Sequence, residues 1–258
     1  MRETPRPGGN NRRERTFYHM SKTLGIIGGV GPLATAYFFR MIVEMTDAAS
    51  DQEHIDILIH NNTRIPDRTK YILHESDKDP VPVLVETAKG LIRAGAEVLA
   101  LPCNTAHYFY RQIAQELSVP LIHIVEESVA AAKEAGAGGV GIMATSGTVA
   151  AGTYQQAAEK AGLRCLLPSP EKQELLMDII YREVKAGKPV SAEKLAAVSG
   201  ELIDRGCGAV ILGCTELSLV KNMLPAGGLL IDSLEVLARR AIVLCGKRVR
   251  ETAPKREI

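Results

Sequence analysis

Two cysteines stand at matching places in a sequence that repeats itself. The stretches LIRAGAEVLALPCNTA (91–106) and LIDRGCGAVILGCTEL (202–217) align without a gap, and Cys103 and Cys214 stand 111 residues apart, as do Gly95 and Gly206. In each stretch an apolar run suited to a buried strand gives way to polar residues that can cap a helix, Asn104 or Thr105 in the first and Thr215 in the second. Open α/β sheets bind their ligands at the carboxyl ends of their strands, and a helix N-terminus favours a thiolate. One such cysteine can be a nucleophile, whereas two that face one another suggest a pair of bases. Cys165, Cys207 and Cys245 read as small buried hydrophobes. The five cysteines contain no C-x-x-C pair, so neither a structural metal site nor a disulfide framework is expected, and the compartment that suits them is a reducing cytosol.

Two further segments carry groups that can hold an anion. The loop NNTRIPDR (61–68) follows a strand directly. Its Arg64 reads as a solvated charge, while Arg68, past the Pro-Asp turn, is placed to hold a carboxylate with both arms of its guanidinium. The G-x-G-x-x-A string at 29–34 has the form of a dinucleotide fingerprint, but the next strand runs into Asn61-Asn62 instead of an acidic residue. A tight turn with proline at the first helical position accounts for the string. The preferred functional reading is that its glycines, Gly29 first, let backbone N–H groups approach a carboxylate without any nucleotide.

The elements that must position these groups repeat as well. GIIGGVGPLATAYF (25–38) resembles GIMATSGTVAAGTY (141–154), so each half begins with strand, small-residue turn and helix and later presents helix, turn, strand and cysteine. IDILIH (55–60), VPLIHI (119–124) and GLLIDS (228–233) are strand-like, and helical patterns fall near 33–47, 81–94, 108–117, 126–135, 152–161, 171–186, 192–205 and 233–246. The fold class expected is α/β: two similar domains, each a parallel sheet flanked by helices, related by internal pseudo-twofold duplication. The expected division is a disordered extension at 1–20, a first domain of 21–125 plus 233–250, and a second of 126–232.

Composition excludes several classes of partner. The 258 residues are 46% hydrophobic, enough for sizeable cores, and 31 basic against 30 acidic residues leave a net charge of +1 with no footprint for nucleic acid. No apolar stretch reaches the roughly 20 residues of a membrane helix. The arginine-rich opening MRETPRPGGNNRRERTFYH lacks the apolar centre of a signal peptide; its Glu3 and Glu14 and its lack of serine count against a transit peptide, and Met20 offers an alternative start.

The strings GGVGPLAT, NNTRIPDRT, PCNTAH, ATSGT and GCTEL, in that order, resemble the aspartate/glutamate racemase superfamily, and within it the aspartate racemases; the resemblance covers about residues 22 to 246. It implies a cofactor-independent racemase without pyridoxal phosphate, with no metal-binding residue assigned and with Cys103 and Cys214 on opposite faces of the substrate Cα. The substrate implied is a small dicarboxylic amino acid, L- or D-aspartate or else glutamate, handled by a cytoplasmic homodimer that engages neither nucleic acid nor membrane. By resemblance and position, Asn104, Thr105, Thr145 and Thr215 donate hydrogen bonds to the α-carboxylate, and Lys185 is the second cationic anchor beside Arg68. Glu216 meets the substrate ammonium, polarises a thiol or caps a helix, and His107 makes a structural hydrogen bond. Val30 stands where many relatives carry methionine. The alternatives are a single-cysteine or cyclic-substrate relative of the maleate isomerase or hydantoin racemase type, and a non-catalytic protein that binds an acidic metabolite.

Overall fold

The computed structural model describes residues 21–225 and 228–251, and the extension expected at 1–20 lies outside the described residues. The first half runs β1 (Leu24–Gly28), α1 (Pro32–Met45), β2 (Ile57–Asn61), α2 (Arg68–Ile72), α3 (Val81–Arg93) and β3 (Val98–Ala100), followed by a 3-10 turn (Thr105–Phe109), α4 (Tyr110–Ala114) and α5 (Ile124–Glu134). The second runs β4 (Gly139–Met143), α6 (Ser146–Ala151), α7 (Thr153–Ala161), β5 (Arg164–Leu166), α8 (Pro170–Asp178), a π-helical turn (Ile179–Val184), α9 (Ala192–Asp204), β6 (Ala209–Leu212), α10 (Thr215–Ser218), β7 (Leu229–Asp232) and α11 (Ser233–Leu244). Among the described residues no helix is long and apolar enough to cross a membrane.

Both sheets are parallel, ordered β2-β1-β3 and β5-β4-β6-β7. Parallel strands covered by helices on both faces need continuous apolar runs, and every residue of β1, β3, β4 and β6 is buried. The strand expected at 119–124 shrinks to a single parallel bridge, Leu121 opposite Leu99. β3 offers only three residues before Pro102, and α5 already begins at Ile124, so one rung is all that fits: Leu99 N donates to Pro120 O and Ile122 N to Leu99 O. The helical pattern read as 171–186 divides into α8 and the π-helical turn.

Three apolar clusters hold these layers. One lies on the outer face of the first sheet (Leu84, Leu91, Leu99, Ile113) and one on the outer face of the second (Leu176, Leu195, Val198, Leu212). The third is shared, running from Ile26, Phe38 and Ile42 through Val129 and Ile142 to Leu234, Leu237 and Ile242, so that α11 packs on both α1 and α5. The loops at the carboxyl ends of β1 and β3 in the first half and of β4 and β6 in the second come together at one place.

Candidate active site

Those loops close over a pocket lined by residues of both halves, including Arg68, Cys103, Asn104 and Thr105 from the first and Thr145, Lys185, Cys214, Thr215 and Glu216 from the second. Its free interior is about 10 Å³, room for one water molecule. Both cysteines are buried, each just beyond the end of its strand. The elements that follow them are shorter than the sequence suggested. Cys103 precedes a 3-10 turn in which the Asn104 side chain makes no cap, and Cys214 opens the four-residue α10 without a side-chain cap. So short an element adds little dipole, and the charges at the thiols come from side chains.

At Cys214 these charges are close. Its Sγ donates to Glu216 Oε2 at 3.0 Å, and Lys185 Nζ meets Glu216 Oε1 at 2.9 Å. Burial pushes the Cys214 thiol well above its usual range, and the Glu216 charge pushes the same way. Burial opposes the Glu216 charge, but the Lys185 ammonium outweighs it and holds the carboxyl below its ordinary range. Lys185 in turn is held protonated by the Glu216 carboxylate against its own burial. Gly31 makes room for this carboxylate, since a Cβ there would stand 2.6 Å from Glu216 Oε1.

Arg68 is the first residue of α2, whose N-cap Asp67 accepts from Lys70 N at 3.0 Å. Its guanidinium donates to Pro66 O at 2.9 Å and to Val30 O at 3.4 Å, and Nε is buried without a partner among the described residues. Burial works against its charge, and the neighbouring Cys103 and Asp67 more than restore it.

Hydroxyls line the seam between the halves. Thr105 Oγ1 lies 2.9 Å from both Thr145 Oγ1 and Thr148 Oγ1, these two are 3.0 Å apart, and Thr69 Oγ1 donates to Thr145 at 3.4 Å. Such a cluster can turn its protons toward an incoming carboxylate without moving a heavy atom. Asn104 is committed otherwise: Tyr154 donates to its Oδ1 at 2.7 Å, its Nδ2 donates to Ser233 Oγ at 2.9 Å, and Ser233 donates to Leu212 O at 2.6 Å. His107 is buried and pushed down to about 4, chiefly by that burial, so it is neutral; Nδ1 donates to Cys103 O at 2.8 Å while Nε2 accepts from Ile124 N at 3.3 Å.

Gly29, expected to turn its N–H toward a carboxylate, spends it within the protein. The Gly29 N–H donates to Thr35 Oγ1 at 3.1 Å, and the residue adopts a φ of +89° with its α-carbon pressed on Asn62, where a Cβ would lie 2.4 Å from the backbone; Val30 lines the pocket instead. Two lining residues went unread in the sequence, Thr69 and Tyr181. Tyr181 sits in the π-helical turn with Lys185 Nζ 5.1 Å from its ring centroid, and burial pushes its phenol up to about 12. The signal available for it was its place four residues before Lys185, one helical turn away.

Known proteins share this architecture. A broad specificity amino-acid racemase of Bacillus subtilis is 26% identical over 223 residues, covering 85% of this chain and 96% of that protein. Picrophilus torridus aspartate racemase superposes with a TM-score of 0.80 at 27% identity, covering 89% of this chain and 96% of its own. An aspartate racemase homologue from Pyrococcus horikoshii OT3 gives 0.71 at 28% identity, covering 87% and 99%. The profile of the Asp/Glu/Hydantoin racemase family matches residues 27–241, and the chain belongs to that family.

Proposed function

We propose that the protein is a cofactor-independent racemase that interconverts L- and D-aspartate, with glutamate as the second candidate, using Cys103 and Cys214 as a pair of bases. The observation that carries this reading is the lining of one buried pocket by two cysteines from equivalent places in the two halves. Inverting an α-carbon needs a base on one face and an acid on the other, and two thiols in opposite protonation states fill both roles in both directions, which leaves no step for pyridoxal phosphate or a metal. Charge that develops on the α-carboxylate meets the hydroxyls of Thr105, Thr145 and Thr148 with Thr215 beside them. Arg68 and Lys185, one from each half, suit a substrate with two carboxylates, and a binding protein for an acidic metabolite would need no paired thiols. A cytoplasmic homodimer is part of the same proposal, carried by the family resemblance.

Proton NMR of the purified protein in heavy water, with aspartate, glutamate or alanine and no cofactor added, tests the reading. The α-proton signal of aspartate should fade as the opposite enantiomer accumulates. Retention of the α-proton in all three would overturn it.

A further inference from the structure

The two thiols occupy equivalent places, but among the described residues a carboxylate hydrogen-bonds only one of them, Cys214. Each lies near a cation carried by the segment that follows the second strand of a half, Arg68 after β2 for Cys103 and Lys185 after β5 for Cys214. Two residues beyond each cysteine the chemistry of the match changes, because the 111-residue offset pairs Thr105 with Glu216. Thr105 spends its hydroxyl on Thr145 and Thr148. Glu216 turns back on its own cysteine, one oxygen 3.0 Å from Cys214 Sγ and the other 2.9 Å from Lys185 Nζ. The Lys185 charge is thereby balanced, and a thiolate on Cys214 would face a carboxylate. Arg68, by contrast, keeps a buried Nε with no partner among the described residues.

Building on the racemase reading, we propose that the free enzyme holds its single thiolate on Cys103, and that Glu216 is the positioning residue that keeps Cys214 protonated. The other titratable groups facing the pair leave this asymmetry in place. Tyr154 and Tyr181, which face Cys214 from α7 and the π-helical turn, are phenols that burial pushes up, Tyr181 to about 12. Asp67 accepts from the Lys70 N–H at the start of α2, and His107 behind Cys103 is neutral.

An enantiomer whose α-proton faces Cys103 therefore meets the enzyme as it rests. Its Cα–H bond breaks with the proton going to Cys103 Sγ and the electron pair passing into the α-carboxylate. The Cys214 S–H proton then forms the new bond to Cα on the opposite face. Product departs from a Cys103 thiol and a Cys214 thiolate. This form relaxes as Cys214 takes a proton from water and Cys103 returns one, so no proton is consumed overall. The other enantiomer must find the relaxed form's minor counterpart.

Thiolate absorbance in the ultraviolet tests the assignment without turnover, in the full chain and in variants shown to be folded by circular dichroism. At neutral pH the wild type should show one thiolate, lost in Cys103→Ser and kept in Cys214→Ser. Adding Glu216→Gln to Cys103→Ser should lower the pH at which Cys214 ionises by about one unit or more, the size of effect a neighbouring like charge exerts. Absence of a neutral-pH thiolate in the wild type, a signal that follows Cys214 instead, or an unmoved ionisation on Glu216→Gln would each overturn the proposal. A protein that titrates as expected yet exchanges no α-proton would keep this charge asymmetry and refute the racemase reading.

Discussion

Arg68 is the side chain whose chemistry is most open to a direct test. With two N–H arms on the Pro66 and Val30 carbonyls and Nε unspent, it has a donor left for a carboxylate. A charge-assisted hydrogen bond contributes about 1.5–3 kcal/mol, so Arg68→Ala should lower kcat/KM for aspartate roughly ten- to a hundredfold. Arg68→Lys should recover little of it, because the ammonium keeps the charge and loses the planar fork. A lysine variant as efficient as wild type, or alanine turned over as well as aspartate, would reduce the role of Arg68 to general attraction of anions. Cys103→Ala and Cys214→Ala should each abolish racemisation, since each removes the acid or base for both directions; Cys165→Ala, on β5 away from the pocket, should leave it unchanged. Full activity in either of the first two variants refutes the pairing. Lys185 answers to a different constraint: its ammonium already holds Glu216, so a distal carboxylate must compete with an internal one before it binds.

Short elements, rather than long helices, set the geometry around the thiols. The 3-10 turn after Cys103 is pinned by His107, whose imidazole bridges the Cys103 carbonyl and the start of α5. Burial holds that ring neutral with a pKa of about 4, whereas in the unfolded chain it titrates near 6.5. Only the unfolded state gains a proton between these values, so the contribution is whole above about pH 6.5 and is lost as pH falls toward 4, about 3 kcal/mol in all. His123, also pushed down to about 4 by burial, acts with the same sign. Denaturant midpoints measured from neutral to acid pH should fall over this window, and His107→Gln should make that fall shallower; an unchanged slope would show that the ring carries no linkage. The strands and both cysteine loops were legible because a buried parallel strand is a continuous apolar run and the duplication marks it twice. The π-helical turn was not, because Ile180 and Lys185 join through an i to i+5 bond that leaves the apolar spacing of α8 almost undisturbed. Gly29 poses a related difficulty: its positive φ and its close approach to Asn62 are packing requirements, and a glycine needed for packing looks the same in sequence as one needed by a ligand.

Over the whole molecule the duplication conceals a division of the core. Each half owns the cluster on its outer face, but the inner cluster draws on α1, α5, α7 and α11 together. Two halves built on one interior should unfold as one. Leu237 is fully buried in that interior, and Leu237→Ala should cost about 2–5 kcal/mol and shift a single cooperative transition followed by both calorimetry and circular dichroism. Two separated transitions in the variant would mean that the halves are energetically independent. The repeat shows what the halves share and assigns 233–250 to the first of them, but the packing of α11 on both α1 and α5 depends on contacts between segments about 200 and about 110 residues apart in the chain.

Ser233, at the head of α11, ties Asn104 of one cysteine loop to the Leu212 carbonyl ahead of the other. On a ribosome, every strand and both thiols emerge before that hydroxyl does. The sheets can form as they appear, but the two loops remain unstrapped until Ser233–Leu244 clears the exit tunnel. A nascent chain therefore lacks the side-chain tie between its two cysteine loops until translation has delivered the helix that carries it.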